Sequence, residues 1–258
     1  MKFCVLGSGS RGNCTYVETG CGGILIDAGF SGREIARRLA IIDRTPEQLG
    51  AILVTHEHND HIAGVGVLSR RYNLPVYANL PTMKAAEKKL GKLFAFYEFH
   101  TGTPFDLLEC RIHPFGVSHD TADPVGFILE NNGLTLGYCT DTGRITKLMQ
   151  YLLGQCHGLI LEANHDPQML QEGPYPLSLQ QRVRSSHGHL ANGDAASFIH
   201  SLQGPLQALV LAHLSETNNH PDLVMRAVGR LGDTVASRQP VLARQAEPGP
   251  LIDLGAGT

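Results

Sequence analysis

The sequence predicts one α/β domain, and three features of the 258-residue chain support this fold class. Short apolar segments with glycine at their ends alternate with amphipathic segments of helical period, as in folds that alternate strands and helices. Hydrophobic residues make up 42% of the chain and charged residues 17%, which is typical of a globular protein. The length is enough for one large core. We therefore expect a single domain over 1–236 and a loosely ordered tail over 237–258, which is rich in proline, glycine and alanine.

The first half of the chain shows this alternation clearly. The strands are short apolar runs bounded by glycine or by polar residues. Ser31 has the side chain of a good N-cap for the first helix, and Pro81 suits the start of the third. The predicted strands are 2–6, 15–18, 23–27, 51–54 and 76–78, and the predicted helices are 32–40, 62–72 and 82–90.

The second half repeats the pattern. Asn131-Asn132-Gly133 lies between two apolar runs and favours a hairpin turn, because Asn-Gly tolerates the positive φ that such turns need. The predicted strands are 112–117, 126–130, 134–138, 159–161 and 209–211, and the predicted helices are 145–153, 195–202 and 222–231.

Charge and targeting signals narrow the function classes. The formal net charge is −3, so the whole chain offers no electrostatic attraction for nucleic acid. Arg70, Arg71 and the lysines of 84–92 form the most basic stretch, and its simplest interpretation is a solvated helix face. The amino end has no apolar stretch of signal-peptide or membrane-spanning length, and the cysteines form no CxxC pair. We therefore expect a cytoplasmic protein with reduced cysteines and no membrane association.

A group of metal-binding residue types follows the predicted strand 51–54. Three histidines and an aspartate occur within six residues, as His56, His58, Asp60 and His61. Imidazole and carboxylate are the ligands that borderline divalent metals prefer, and crowding four of them into one turn is costly without a cation. The alternative is a polar loop in which the histidines coincide by chance. The density of ligands favours a metal site.

The segment His56-x-His58-x-Asp60-His61 resembles the HxHxDH signature of the metallo-β-lactamase superfamily. Three later strand ends carry the residues that this superfamily places next, at His119, Asp141 and His213. A lone histidine at a strand end is more often structural, but the order and spacing of the set favour ligands. The resemblance implies an αββα sandwich, with two mixed β-sheets flanked by helices, and a metal-dependent hydrolase.

The resemblance also implies how two divalent metal ions, zinc or manganese with iron as a further option, are held. Asp141 would bridge the two ions, and Asp60 would also act in catalysis by orienting the nucleophile. The other ligands of the two ions would be His56, His58 and His119 for one, and Asp60, His61 and His213 for the other.

The stretch from Leu6 to Cys14 resembles the opening of the YycJ (WalJ) group of bacterial exonucleases within the superfamily. Stretches that begin at Ser118, Leu161 and Gly188, and another that begins at His213, agree with the same group, so the likeness covers 1–231. This resemblance implies a 5′-to-3′ DNA exonuclease with a role in DNA repair, and DNA as the partner.

Two further segments are candidates for substrate contacts. The glycine-rich loop places Ser8, Ser10 and Asn13 where hydroxyl, amide and backbone N–H groups can hold a phosphate oxygen, although for a glycine loop alone an ordinary β-turn is the favoured interpretation. Gly188-His189 resembles the glycine-histidine pair of tRNase Z-like phosphodiesterases. By that resemblance His189 is a catalytic residue beside the leaving group; the alternative is a histidine that packs or caps the next helix.

Other functions of the same fold stay open. The short interval from His119 to Asp141 leaves no room for the tRNA-binding arm of tRNase Z, and that from Asp141 to His189 leaves none for the inserted domain of RNase J-like nucleases. The alternatives are a small-molecule or cyclic-nucleotide phosphodiesterase, an acyl or thioester hydrolase, and a catalytically silent binding module. The complete ligand set argues against the last.

Overall fold

The protein is described by a computed structural model that covers residues 1–229 and 239–255. The strands are β1 Lys2–Gly7, β2 Cys14–Thr19, β3 Gly22–Ile26, β4 Leu49–Leu53, β5 Pro75–Ala78, β6 Ala95–Glu98, β7 Phe105–Leu107, β8 Cys110–Gly116, β9 Val125–Asn131, β10 Leu134–Cys139, β11 Gly158–Glu162, β12 Ala208–Ala212, β13 Val241–Leu242 and β14 Ile252–Asp253. The helices are α1 Gly32–Ile41, α2 Asn59–Ile62, α3 Val65–Tyr72, α4 Leu80–Leu90, α5 Lys147–Leu153, α6 Pro167–Glu172, α7 Leu177–Arg184, α8 Asn192–Ser201 and α9 Pro221–Gly229.

The strands form two mixed sheets of seven strands each within the described residues. One sheet has the order β14-β1-β2-β3-β4-β5-β6, and the other has the order β13-β12-β11-β10-β9-β8-β7. The pairs β3–β4, β4–β5 and β5–β6 are parallel, as are β10–β11, β11–β12 and β12–β13. The pairs β1–β2 and β2–β3 are antiparallel, as are β7–β8, β8–β9 and β9–β10. The predicted αββα sandwich is confirmed.

Residue alternation in β1 shows how the sequence produces this layering. Phe3 and Val5 pack in the core that also contains Phe127 and Ile160 of the other sheet, whereas Leu6 packs on the opposite face with α1 and α3. Successive side chains of a strand point to opposite faces, so a strand covered on both sides is apolar at every position. β12 is such a strand, because all five of its residues are buried.

The carboxyl-terminal segment corrects one prediction. Residues 239–255 are not a loosely ordered tail: β13 pairs with β12 and β14 pairs with β1, so the segment adds an edge strand to each sheet. Leu254 is buried in the core between the sheets. Two-residue strands among prolines and glycines have no periodicity that a sequence pattern can detect. The boundary predicted at residue 236, and the end of the helix predicted to reach 231, lie outside the described residues.

The helix predicted over 62–72 is also different in the structure. It is divided into α2 and α3 at Gly64, because the Gly64 N–H donates to the carbonyl oxygen of Ala28 and the carbonyl oxygen of Asp60 accepts from the N–H of Asn13, so the helical hydrogen bond between them is not made. Strands β6 and β7 and helices α6 and α7 were not predicted; most of their residues are half-exposed or exposed, so their apolar pattern is weak. No helix in the described part of the chain is long and apolar enough to span a membrane.

Candidate metal centre

The ends of four strands meet at one cleft and carry the predicted ligands there. His56, His119, Asp141 and His213 follow β4, β8, β10 and β12, and the short helix α2 adds Asp60 and His61. Asp141 and His213 have positive φ values of 57° and 56°. Such a backbone is strained for residues other than glycine, by about 1–3 kcal/mol, and it persists where the surrounding fold imposes it, which is common at functional sites.

His56, His58 and His119 form one group whose ligand atoms lie within 4.8 Å of one another. His58 Nδ1 and His119 Nε2 are 3.3 Å apart. The Nδ1 of His119 is 3.1 Å from the carbonyl oxygen of Gly188. A carbonyl oxygen only accepts a hydrogen bond, so the proton of His119 is on Nδ1 and the lone pair of Nε2 is directed into the group.

Asp60, His61 and His213 form a second group of the same compactness. Asp60 Oδ2 is 3.4 Å from His61 Nε2 and 3.8 Å from His213 Nε2. Asp141 lies between the two groups, because its carboxylate oxygens are 3.4 Å from His61 Nε2 and 3.8 Å from His119 Nε2. The structure thus brings together all seven residues that the sequence predicted as ligands, in the two predicted sets.

The chemistry of these donors fits divalent cations. His56 Nε2, Asp141 Oδ2 and His213 Nε2 are buried and have no hydrogen-bond partner among the described residues. Leaving a buried polar atom without a partner costs about 1–3 kcal/mol, and cations held by the two groups would satisfy all three atoms. Burial by itself would lower the pKa of His213, but Asp141, Asp60 and Glu162 raise it to about 10. The group therefore carries excess negative charge, which favours a cation.

Asp27, which was not predicted from the sequence, binds Nδ1 of His61, the ring nitrogen that does not face the ligand group. Burial raises the pKa of the Asp27 carboxyl, while His61 and Thr55 oppose this shift. Its Oδ2 is 2.7 Å from His61 Nδ1, and both its oxygens accept hydrogen bonds from Thr55, at 2.8 Å. Asp27 also has positive φ, 59°, directly after β3. The sequence signal for Asp27 was its position as a charged residue directly after an apolar strand. It was not identified because Asp27 lies outside the HxHxDH motif.

Glu162, also missed, connects two histidines. It is fully buried at the end of β11, and its Oε1 lies 2.7 Å from His189 Nδ1 and 2.9 Å from His213 Nδ1. Its Oε2 accepts hydrogen bonds from the backbone N–H groups of Thr142 and Leu190. Burial by itself would raise the pKa of this carboxyl, but the two histidines lower it to about 2.

The predicted catalytic residues Asp60 and His189 both line the cleft beside the ligand groups. His189 is partly exposed, with 21% of its side-chain surface accessible. Its ring centroid is 5.1 Å from those of His119 and His213. Since Glu162 holds Nδ1, the nitrogen that is available to a substrate is Nε2.

The glycine-rich loop differs in part from its predicted role in phosphate binding. Ser8 and Asn13 are buried, and the Ser8 hydroxyl accepts a hydrogen bond from the N–H of His213 at 2.8 Å and donates one to Asn13 Oδ1 at 3.0 Å. The Asn13 amide donates to Gly9 O and approaches Asp60 Oδ2. These two residues hold the loop and the ligand strand together. Ser10 alone of the three lines the cleft.

The comparisons with known proteins agree with this architecture. A family model described as beta-lactamase superfamily domain matches residues 23–214. The solved metallo-beta-lactamase fold protein YhfI from Bacillus subtilis superposes with a TM-score of 0.74 at 17% identity, covering 96% of this chain and 99% of that one. Fold, family and relatives together define the class of protein: a metal-dependent hydrolase of the metallo-β-lactamase fold.

Two bacterial relatives are similar over most of the chain. Exodeoxyribonuclease WalJ of Streptococcus pneumoniae strain D39 is 41% identical over 227 residues, which is 86% of this chain and 84% of the relative. Exodeoxyribonuclease YycJ of Bacillus anthracis is 38% identical over 234 residues, which is 90% of this chain and 89% of the relative. The chain therefore belongs to the metallo-β-lactamase superfamily and, within it, to the family of WalJ and YycJ.

Proposed function

We propose that the protein is a dinuclear-metal phosphodiesterase that removes nucleotides from the 5′ end of DNA. The observation that carries the proposal is the convergence of seven ligand residues, three of which have a buried atom without a partner among the described residues. The names of the relatives WalJ and YycJ support exodeoxyribonuclease activity. A role in DNA repair belongs to the same proposal and rests on the family resemblance.

Under this proposal the two groups of residues would each hold one divalent ion, zinc or manganese, and Asp141, which lies between the groups, would contribute to both. His56, His58 and His119 serve one ion; Asp60, His61 and His213 serve the other. When bound, two such ions make water nucleophilic near neutral pH and neutralise charge on the phosphate under attack.

Two residues of the chain would orient the attacking water and protonate the leaving group. Asp60, whose side chain is 23% exposed, can accept a hydrogen bond from the attacking water and so orient it towards phosphorus. His189 lines the cleft, and its Nε2 can donate a proton to the departing sugar oxygen, while Glu162 binds Nδ1 and fixes the orientation of the ring. Glu162 is then a positioning residue, because it acts through His189 and His213.

DNA that carries a label at either end tests the proposal. Single- and double-stranded DNA and matched RNA are incubated with the protein plus Mn²⁺, Zn²⁺ or chelator. We expect metal-dependent release of nucleotides from the 5′ end of DNA and no turnover of lactams or thioesters. Hydrolysis of a thioester, a lactam or a small cyclic phosphodiester, without cleavage of DNA, would overturn the proposal in favour of one of the alternative activities.

A further inference from the structure

The cleft has an apolar wall that the proposed chemistry does not use. Tyr175, Leu179 and Val183 line the same cleft as Asp60 and His189. Leu179 and Val183 are four residues apart on α7, so they lie on one face of that helix. Tyr175 and Leu179 are half-buried and remain accessible from the cleft.

Tyr175 is held in a fixed position. It lies between Pro174 and Pro176, which restrict the backbone on both sides. Its carbonyl oxygen accepts a hydrogen bond from Gln180 Nε2 at 2.9 Å, which ties the loop to α7. An aromatic side chain on a rigid backbone loses little conformational entropy when a ligand stacks on it, so such a residue is suited to binding.

The wall is also joined to the candidate metal centre. Arg182 Nε on α7 donates a hydrogen bond to Asp120 Oδ2 at 2.6 Å, directly after the ligand His119. The Ser118 hydroxyl donates to the carbonyl oxygen of Ser186, also at 2.6 Å. The position of α7 relative to the ligand residues is therefore fixed by contacts on both sides of His119.

The cleft therefore combines polar ligands for a phosphate with an aromatic and two apolar side chains. The ligand chemistry that matches both parts is a nucleoside phosphate, because every nucleobase has a π-face that can stack on an aromatic side chain. We propose that Tyr175 and Leu179 form a subsite for the base of the nucleotide that is removed. The inference rests on the proposed function, which it deepens by naming what the enzyme recognises.

The test compares two substrates: a 5′-phosphorylated oligonucleotide and the same oligonucleotide with an abasic tetrahydrofuran unit at its 5′ end. We expect the wild-type protein to remove the normal terminal nucleotide with a kcat/KM about 5- to 150-fold higher than the abasic one, as expected for one base–aromatic stack. Tyr175→Ala and Leu179→Ala should reduce that ratio towards one.

Matched variants separate stacking from a general effect. Tyr175→Phe keeps the ring and should keep the preference. Leu177→Ala changes a leucine on the same helix that is 68% exposed and does not line the cleft, and Tyr151→Ala changes a tyrosine on α5 that is 70% exposed; both should behave as wild type. Equal wild-type rates on normal and abasic ends, or a preference that survives Tyr175→Ala, would overturn the subsite alone. Failure to cleave either oligonucleotide would overturn the proposed function, and the subsite with it.

Discussion

Two buried carboxylates, Asp27 and Glu162, hold histidines of the candidate metal centre through their Nδ1 atoms. The ligands recur in a fixed order at strand ends, so their residue types and spacing identify them. Asp27 and Glu162 also end apolar strands, but their function depends on which histidines the fold brings within 2.7 Å of their oxygens. Ser8 and Asn13 are the opposite case. Their residue types suit phosphate binding, but in the structure they form hydrogen bonds within the protein.

His189 and His213 both contact Glu162, but we expect different consequences when each is replaced. His189→Ala should lose about 10²- to 10⁴-fold in turnover, the usual contribution of a general acid, and should retain both ions. His213→Ala should lose bound metal together with activity, because its buried Nε2 is directed at the ligand group. Elemental analysis, circular dichroism and kinetics on the two variants make the comparison. Loss of metal from His189→Ala would exclude the proton-donor role.

Asp27→Asn tests whether the carboxylate that binds Nδ1 of the ligand His61 contributes to metal affinity. Asparagine keeps the shape of Asp27 but removes the charge that holds His61 through Nδ1, so metal affinity should fall about 10- to 100-fold. Titration of metal-free protein with Zn²⁺ measures the change. Asp106→Asn is the control, because it removes an exposed pair with Arg111. Equal affinities in the two variants would show that Asp27 is not needed for the site.

At the scale of elements, the buried strands and most of the helices were predictable from periodicity, whereas the edges of the sheets were not. β6, β7, β13 and β14 are two to four residues long and are stabilised by pairing with a neighbour, which no local pattern encodes.

One residue of α1 binds the carboxyl-terminal segment to the rest of the fold. The buried Arg38 donates hydrogen bonds to Leu6 O of β1 and to Gln245 O, and its Nε is bound by Glu34.

The Glu34 carboxylate should give this connection a pH dependence. Hydrogen bonds from Arg37 and from Arg38 lower its pKa from 4.5 to about 2. A carboxyl with a lower pKa in the folded state stabilises the fold above pH 4.5, and this contribution is lost as the pH falls towards 2. Glu34→Gln should therefore lower the free energy of unfolding by about 1 kcal/mol at pH 7.

Urea unfolding of wild type and Glu34→Gln at pH 7 and pH 3 measures the difference, which should be less than half as large at the lower pH. Glu87→Gln, on the exposed face of α4, is the control and should show no such change. A Glu34→Gln deficit that is the same at both pH values would mean that the ionised carboxylate does not stabilise the connection.

At the scale of the whole molecule, the two facing sheets bring the ends of strands from both sheets to one cleft. The charge of that cleft indicates why a metal ion would be needed there. The net charge is −3, and the cleft contains the carboxylates of Asp60, Asp120 and Asp141. Without cations, this surface repels a phosphodiester backbone. Substrate binding and chemistry should both depend on the ions.

We therefore expect that two ions per chain make the protein active on DNA. The direct test titrates chelator-treated protein with Mn²⁺ or Zn²⁺ and measures bound ions and the rate of release from 5′-labelled DNA on the same samples. Seven nitrogen and oxygen ligands are too many for one tetrahedral zinc, so activity should rise until about two ions are bound, and Asp141→Ala should weaken both. Full activity with one ion bound per chain, or with none, would contradict the requirement for two ions.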